Sequence, residues 1–598
     1  MHDMTNNLNQ IISSTLLPRV RMPGQYIGGE VNETRSEYRP GDVAVALAFP
    51  DTYAIGMSHL GLAILYKALN DIPGVIAERV FCPWVDVAEV MRDKEIPLFS
   101  WESRRPVRQF DILGISLQHE LCYSNVLYIL DMAGITFRSL ERGGDEPLIV
   151  GGGPMADCCE PVADFFDLII LGDGEEALPA VVDEYRKLRG QNLERRDILL
   201  SLARKFSYVY VPRFYRCEYD NEGRLKSCRP TEQGVPECVK RAVVEDMDNA
   251  AFPTAPLVPH TQTTHDRIAI EIMRGCPQRC AFCHAGHTRG KVRCRSVEKI
   301  AELAWRSYLN TGHDTVSLLS LSTSDYPQLR ELVETLYKQF EGCHVGISLP
   351  SLRVDKQLKD VPRQVTGTRR EGLTLAIETA SNQIRKAIGK HVTEADLEAT
   401  MRAAYEAGWR KVKLYFMVGF PGETEEDIMG ILELAAWISR LRQEVAGGVA
   451  QVNAAVSWLV PKPHTPFGWI AQQKIDYFRK AKQKLLEEKK SLRGASIKLK
   501  FHHLERSILE GVFARGDRRL SRVLEEAYTA GAKFDAWDEC FDYNRYLEAF
   551  AKCDLDPAFY AHRERDENEV LPWDHLGGDN RGHLYKRLQR ITEILDID

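Results

Sequence analysis

Two kinds of hydrophobic pattern divide this chain. Near the amino terminus, Asp42–Phe49 is an almost continuous apolar run, and Ser58 to Leu69 follows with the amphipathic spacing of a helix. Further short apolar runs cover Val75 to Phe81, Ile112 to Leu117, Leu148 to Val150 and Leu168 to Leu171. Strands that are apolar on both faces, with helices between them, predict a doubly wound, Rossmann-like sheet over residues 1–185. A second alternation starts at Arg267–Met273, where isoleucines recur at period two. It continues through Thr315–Leu321, His344 to Leu349, Gly372 to Ile377, Lys411 to Val418 and Gln451 to Val456. Helical or long-loop stretches separate these runs, which predicts six β/α units in a partial or complete barrel over 266–470. A connecting region (186–265) and a mainly helical carboxyl-terminal region (471–598) complete an α/β chain of several domains.

Composition narrows the function classes. The 598 residues carry a net charge of −7, 44% hydrophobic residues and no apolar stretch of membrane-spanning length. That balance argues against a mainly electrostatic nucleic-acid binder, although Arg289, Lys291, Arg293 and Arg295 form a local basic run. The 14 cysteines show no disulfide framework.

The densest chemistry is Arg274-Gly275-Cys276-Pro277-Gln278-Arg279-Cys280-Ala281-Phe282-Cys283, at the carboxyl end of the first barrel strand. Three thiolates can hold three corners of a four-iron cluster and leave one iron open. Structural zinc is the competing reading, with His284, His287 or Cys294 as a fourth ligand at irregular spacing. Cys217, Cys228 and Cys238 are too irregularly spaced for a second cluster and read as thiols.

The CxxxCxxC form, with an aromatic residue before the last cysteine, resembles the radical S-adenosylmethionine (radical SAM) enzymes. The resemblance implies a [4Fe-4S] cluster on Cys276, Cys280 and Cys283, with S-adenosylmethionine chelating the open iron and a flavodoxin- or ferredoxin-type protein as electron donor. One electron then cleaves the sulfonium to a 5′-deoxyadenosyl radical. By the same resemblance, Ser322 and Thr323 after the second strand meet the methionine amine, without the usual Gly-Gly-Glu form. Glu378 after the fourth strand and Arg385 beyond it contact the ligand or its ribose, and Gly419 and Phe420 form the adenine-side turn. Glu378 as a simple helix cap is the alternative. Pro461 to Phe467, containing Lys462 and His464, resembles a segment of the methylthiotransferase group; it reads either as substrate-facing or as a rigid strap.

The front domain resembles the cobalamin-binding domain that many radical SAM enzymes carry. Asp51-Thr52-Tyr53-Ala54-Ile55-Gly56 stands where an Asp-x-His-x-x-Gly loop is expected, with tyrosine in place of the cobalt-ligating histidine. Ser116-Leu117 and Gly151–Gly153 match two further elements, and Gly172–Glu176 resembles the closing turn. Two readings stay open: cobalamin binds without a protein ligand, or the fold persists without the cofactor. His59 and His119 read as structural. Trp537, Phe541, Tyr543 and Tyr546 read as core.

The expected function is therefore a cytoplasmic radical SAM enzyme that abstracts hydrogen from, or with cobalamin methylates, an unknown substrate. A methylthiotransferase-like enzyme acting on RNA or protein and a non-catalytic iron–sulfur protein are the alternatives.

Overall fold

The apolar runs of the first third become a sheet of order β2-β1-β3-β4-β5-β6: Val43–Phe49 (β1), Val75–Phe81 (β2), Ile112–Ser116 (β3), Leu148–Gly152 (β4), Leu168–Ile170 (β5) and Val209–Tyr210 (β6). All neighbours are parallel except β5 and β6. Every residue of β1 and β2 is buried, which accounts for the unbroken apolar runs. The computed structural model describes residues 8–350, 373–578 and 580–597.

The barrel strands follow as two parallel sheets. Ile268–Glu271, Thr315–Leu319 and Gly346–Ser348 form the first; Leu373–Glu378, Lys411–Val418, Gln451–Trp458 and Ser496–Phe501 form the second. The first six are the expected strands. The seventh lies within the mainly helical region after 470 and extends the six expected strands: it pairs in parallel with its predecessor, Gln451 opposite Ser496. Its Ser-Ile-Lys-Leu-Lys-Phe alternation is an edge-strand pattern, half-buried on one face and exposed on the other. Residues 351–353, read as part of the turn after the third strand, lie outside the described residues, as does Gly372.

The carboxyl-terminal helices do not form a unit of their own. Leu509, Val512, Phe513, Leu520, Val523, Leu524, Phe534, Tyr546 and Phe550 enter the same core as β1–β5. Polar contacts match this packing: the Asn125 side-chain oxygen accepts the Phe534 N–H at 2.7 Å, and the Trp537 indole donates to Asp51 at 3.0 Å. The last helix, Arg581–Leu595, packs instead on the barrel mouth, with Leu584, Leu588 and Ile591 against Ile388, Phe420 and Phe467.

The first loop of the front domain is thereby filled with protein. Tyr53 is buried; its hydroxyl donates to Glu30 at 2.9 Å and its ring packs on Phe81 and Trp101. Glu30 in turn pairs with the buried Arg79 at 3.0 Å. Removing the hydroxyl leaves a buried carboxylate oxygen short of a donor. Tyr53→Phe should cost about 1–3 kcal/mol in urea unfolding; a change under about 0.5 kcal/mol would show the contact to be dispensable.

Candidate functional site

The carboxyl ends of both sheets face each other. Between them lies a cavity of about 400 Å³, bounded on one side by Ser116, Gly151–Gly153 and Gly172–Glu175, and on the other by Glu271, Met273–Gly275 and Leu319–Leu321. In the front sheet it adjoins the point between β1 and β3 where the strand order reverses, the usual ligand crevice of such sheets. Gly153 has φ +107°, and a side chain there would meet the Leu117 carbonyl oxygen at 2.9 Å. Only glycine lets these two loops close.

The two halves are joined under this cavity by Arg274. Its guanidinium reaches Asp173 at 3.1 Å, Glu175 at 2.7 Å and Glu271 at 2.7 Å, and Arg293 takes the other oxygen of Asp173 at 2.7 Å. Arg293 and Arg295 are therefore buried in the interface rather than displayed on a basic surface.

Arg274 is also the last residue before the cysteine loop. Gly275 at φ +86° passes so close to the Lys291 carbonyl that a Cβ would lie 2.7 Å from it. The loop then turns through Arg279, itself at φ +46°, and is pinned by the Ala281 N–H on the Ile388 carbonyl at 2.9 Å. Cys276, Cys280 and Cys283 are half-buried and close enough to influence one another. Burial, aided by the Cys280 and Cys276 sulfurs and by Glu378, pushes the Cys283 thiol up to about 11, while the Gly286 N–H donates to its sulfur at 3.4 Å. Phe282 meets Phe420 edge to face at 6.2 Å, and Phe420 meets Phe467 at 6.5 Å, so an aromatic wall stands beside the loop. Three convergent thiols, a backbone donor on one sulfur and an apolar cover fit an iron–sulfur cluster.

The candidates for a zinc-completing ligand are directed elsewhere. His284 turns to Asp157, His287 bonds the Cys280 carbonyl at 3.2 Å, and Cys294 is exposed on the ribbon formed with Met273. Cys217 and Cys228, read as separate thiols, face each other across a hairpin with their sulfurs 2.7 Å apart.

The other candidates surround the mouth unevenly. Ser322 and Thr323 are buried at the second strand end; Ser322 donates to Asp325 at 2.7 Å and Thr323 to the Pro350 carbonyl at 2.6 Å. Asp325 also accepts Gln278 of the cysteine loop at 2.9–3.0 Å, a link that spacing alone could not reveal. Glu378 ends the fourth strand at φ +73°, where the register slips, and pairs with Lys390 at 3.0 Å. A non-glycine residue in that conformation is strained by about 1–3 kcal/mol, as at many ligand sites. It does not cap the following helix, whose cap is Ser381. Arg385 is buried and donates to the Thr379 and Ala380 carbonyls at 2.8 and 3.1 Å, supporting the strand end from behind. Gly419 at φ +112° donates its N–H to Glu423 at 2.6 Å, and a Cβ there would strike Phe478 at 2.8 Å.

Residues 61–212 match the model of radical SAM proteins, N-terminal, and residues 270–435 match that of the radical SAM superfamily. The chain is a radical SAM protein. An uncharacterized protein of Methanocaldococcus jannaschii is 26% identical over 507 residues, covering 85% of this chain and 96% of its own. The ribosomal protein uS12 methylthiotransferase RimO of Crocosphaera subtropica is 28% identical over 215 residues, 32% of this chain and 47% of that one. Among solved structures, the radical S-adenosylmethionine methyltransferase TsrM of Kitasatospora setae, with cobalamin and a [4Fe-4S] cluster bound, aligns over 93% of this chain and 99% of its own, at 12% identity and a TM-score of 0.47.

Within this radical SAM protein, neither aromatic of the front loop presents itself to cobalt. Tyr53 points into the Glu30 network, away from the cavity lining. His59 does line the cavity, but its Nδ1 accepts the Leu62 N–H at 3.2 Å as the cap of helix Leu60–Asn70, and Gln118 hydrogen-bonds the ring. Burial pushes His59 down to about 4, so it is neutral. Neither Tyr53 nor His59 is therefore placed to ligate a cobalt ion in this cavity.

The Lys462–His464 segment is a strap. Lys462 is half-buried and pairs with Glu120 and Glu510 at 2.5 and 2.7 Å, and His464 Nε2 lies 3.0 Å from the Asp157 carbonyl oxygen. Among the described residues, no helix is long and apolar enough to cross a membrane.

Two substitutions test the joint between the halves and the Gly419 turn. Arg274→Met leaves Glu175 and Glu271 without their cation, while Asp173 keeps Arg293, and should cost about 3–5 kcal/mol in chemical unfolding; an unchanged midpoint would mean the ion pairs are not what joins the halves. Burial raises Glu423 to about 8 despite donors from Gly419 and Tyr477. The folded chain keeps that proton after the unfolded chain has lost it, so stability is fully present below about pH 4.5 and falls as pH rises to about 8. The slope is at most about 1.4 kcal/mol per pH unit. Glu423→Gln should flatten it, as read by unfolding midpoints at pH 5, 6.5 and 8.

Proposed function

We propose that this protein is a radical SAM enzyme that holds a [4Fe-4S] cluster on Cys276, Cys280 and Cys283 and S-adenosylmethionine across the barrel mouth. The observation that carries this reading is the convergence of the three thiols at the end of the first barrel strand, beside Glu378. When bound, the cluster supplies one electron, drawn from a flavodoxin- or ferredoxin-type donor, to cleave the sulfonium to a 5′-deoxyadenosyl radical for hydrogen abstraction. The chain's own residues prepare the site. Gln278, through Asp325, fixes the cysteine loop against the second strand end carrying Ser322 and Thr323. Glu378, held by Lys390, offers a carboxylate for ribose or amine, and Arg385 stiffens the turn that sets its direction. Gly419 and Phe420 leave room for a flat base and exclude water from one side.

The cavity between the sheets supports cobalamin as a second cofactor and, with it, methylation of the substrate. Tyr53 and His59 are committed to the fold, so we assign the corrin no protein ligand on cobalt. The alternative of methylthiotransferase chemistry rests on a likeness confined to about a third of this chain.

Anaerobically reconstituted protein, reduced with dithionite and given S-adenosylmethionine, should release 5′-deoxyadenosine, measured by chromatography. Cys280→Ala should abolish both cluster absorbance and product. Product from the variant, or none from wild type with an intact cluster, would contradict the assignment.

A further inference from the structure

A second group of metal-ligand side chains lies where the front domain, the cysteine loop and the strap meet. Asp157 and Cys158 sit on the turn Ala156–Cys158 after β4. His284 opens the short helix that follows Cys283, and His464 comes from the strap. Three of these residues form a closed triangle: His284 Nε2 is 3.0 Å from Asp157 Oδ1 and 3.4 Å from Cys158 Sγ, and Cys158 Sγ is 3.4 Å from Asp157 Oδ1. His464 brings a ring nitrogen within 4.8 Å of the Asp157 and Cys158 ligand atoms. Asp157, Cys158 and His464 are all buried.

We infer that Asp157, Cys158, His284 and His464 bind one divalent cation of the zinc class, separate from the iron–sulfur cluster. Tetrahedral zinc with bonds of about 2.0–2.3 Å sets its ligand atoms about 3.3–3.6 Å apart. The three measured edges fall within a few tenths of an ångström of that range. One carboxylate, one thiolate and imidazoles form a ligand set of borderline softness, which suits zinc, or cobalt as its probe. Cys158 gives its S–H proton to solvent on binding, so carboxylate and thiolate together neutralise the two positive charges.

The surroundings fit the same role. Arg241 takes the outer oxygen of Asp157, Oδ2, at 2.7–2.9 Å, leaving Oδ1 directed at the triangle as outer partners of metal-bound carboxylates do. The nearby cation Lys462 is spent on Glu120 and Glu510. His464 adopts φ +56° between Pro463 and Thr465, a strained conformation that places its ring on Asp157. The four ligands come from three segments far apart in sequence, so a cation would lock the cysteine loop and strap to the front domain. Four protein ligands, three of them buried, make a closed site, which is structural rather than catalytic.

The test separates this cation from cluster iron. Full-length protein with a reconstituted cluster should retain about one zinc per chain by mass spectrometry after brief chelator treatment. Cys158→Ser should lower that at least tenfold, with cluster absorbance still present. In the full-length chain carrying Cys276→Ala, Cys280→Ala and Cys283→Ala, cobalt(II) should give a thiolate-to-cobalt band in the near ultraviolet that Cys158→Ser removes and His464→Ala weakens. Only trace zinc in the unsubstituted holo-protein would overturn the proposal, however the variants fold. So would zinc or a cobalt band indifferent to Cys158→Ser. Failure to release 5′-deoxyadenosine would bear on the cluster alone, because the two sites share no ligand.

Discussion

The guanidinium of Arg274 lies among Asp173, Glu175 and Glu271, largely withdrawn from water. Two of those carboxylates come from the closing turn of the front domain; Arg274 itself leads into the cysteine loop. Each charge is tolerable in the interior only while the others are present. The loop that carries the candidate redox chemistry is thus positioned by a domain that contributes none of its thiols. The cavity, the aromatic cover and the strap all take their places relative to this joint.

The same logic of mutual completion governs the rest of the molecule. The front sheet buries one side only with help from helices some 400 residues later, where Phe513, Val523 and Phe534 fill its core. The last helix closes the barrel mouth through Leu584 and Leu588. Because the carboxyl-terminal helices share the front domain's core and the last helix covers the barrel mouth, the front domain is not an attachment that could be lost without disturbing the barrel. It also explains the fate of the first loop. Trp537 and Glu30 occupy the space around Asp51 and Tyr53, so that loop serves packing while the crevice beyond β3 and β4 stays open.

Backbone strain concentrates at the same mouth. Arg279, Glu378 and His464 are all non-glycine residues with positive φ, and each belongs to a segment that faces the thiols or the strap contact. The surrounding hydrogen bonds, Ala281 to Ile388, Lys390 to Glu378 and His464 to Asp157, hold these turns in conformations they would leave if freed.

The sequence alone determined the features that depend on neighbours in the chain. Period-two and apolar runs located the front strands and six barrel strands, and three cysteines within eight residues announced a cluster loop. Local spacing carries that information because side-chain direction repeats every two residues in a strand. Only the tertiary structure decided what distant residues do to one another. It placed the alternating run Ser496–Phe501 beside Gln451–Trp458 as a seventh strand, and it decided for Lys462 and His464 between a substrate-facing segment and a rigid strap. It buried Tyr53 on Glu30, spent Arg385 on backbone carbonyls, and brought Asp157 and Cys158 to His284 across more than a hundred residues. Such contacts leave no periodic trace, since the free energy that selects them comes from desolvation and packing between segments that no local pattern connects.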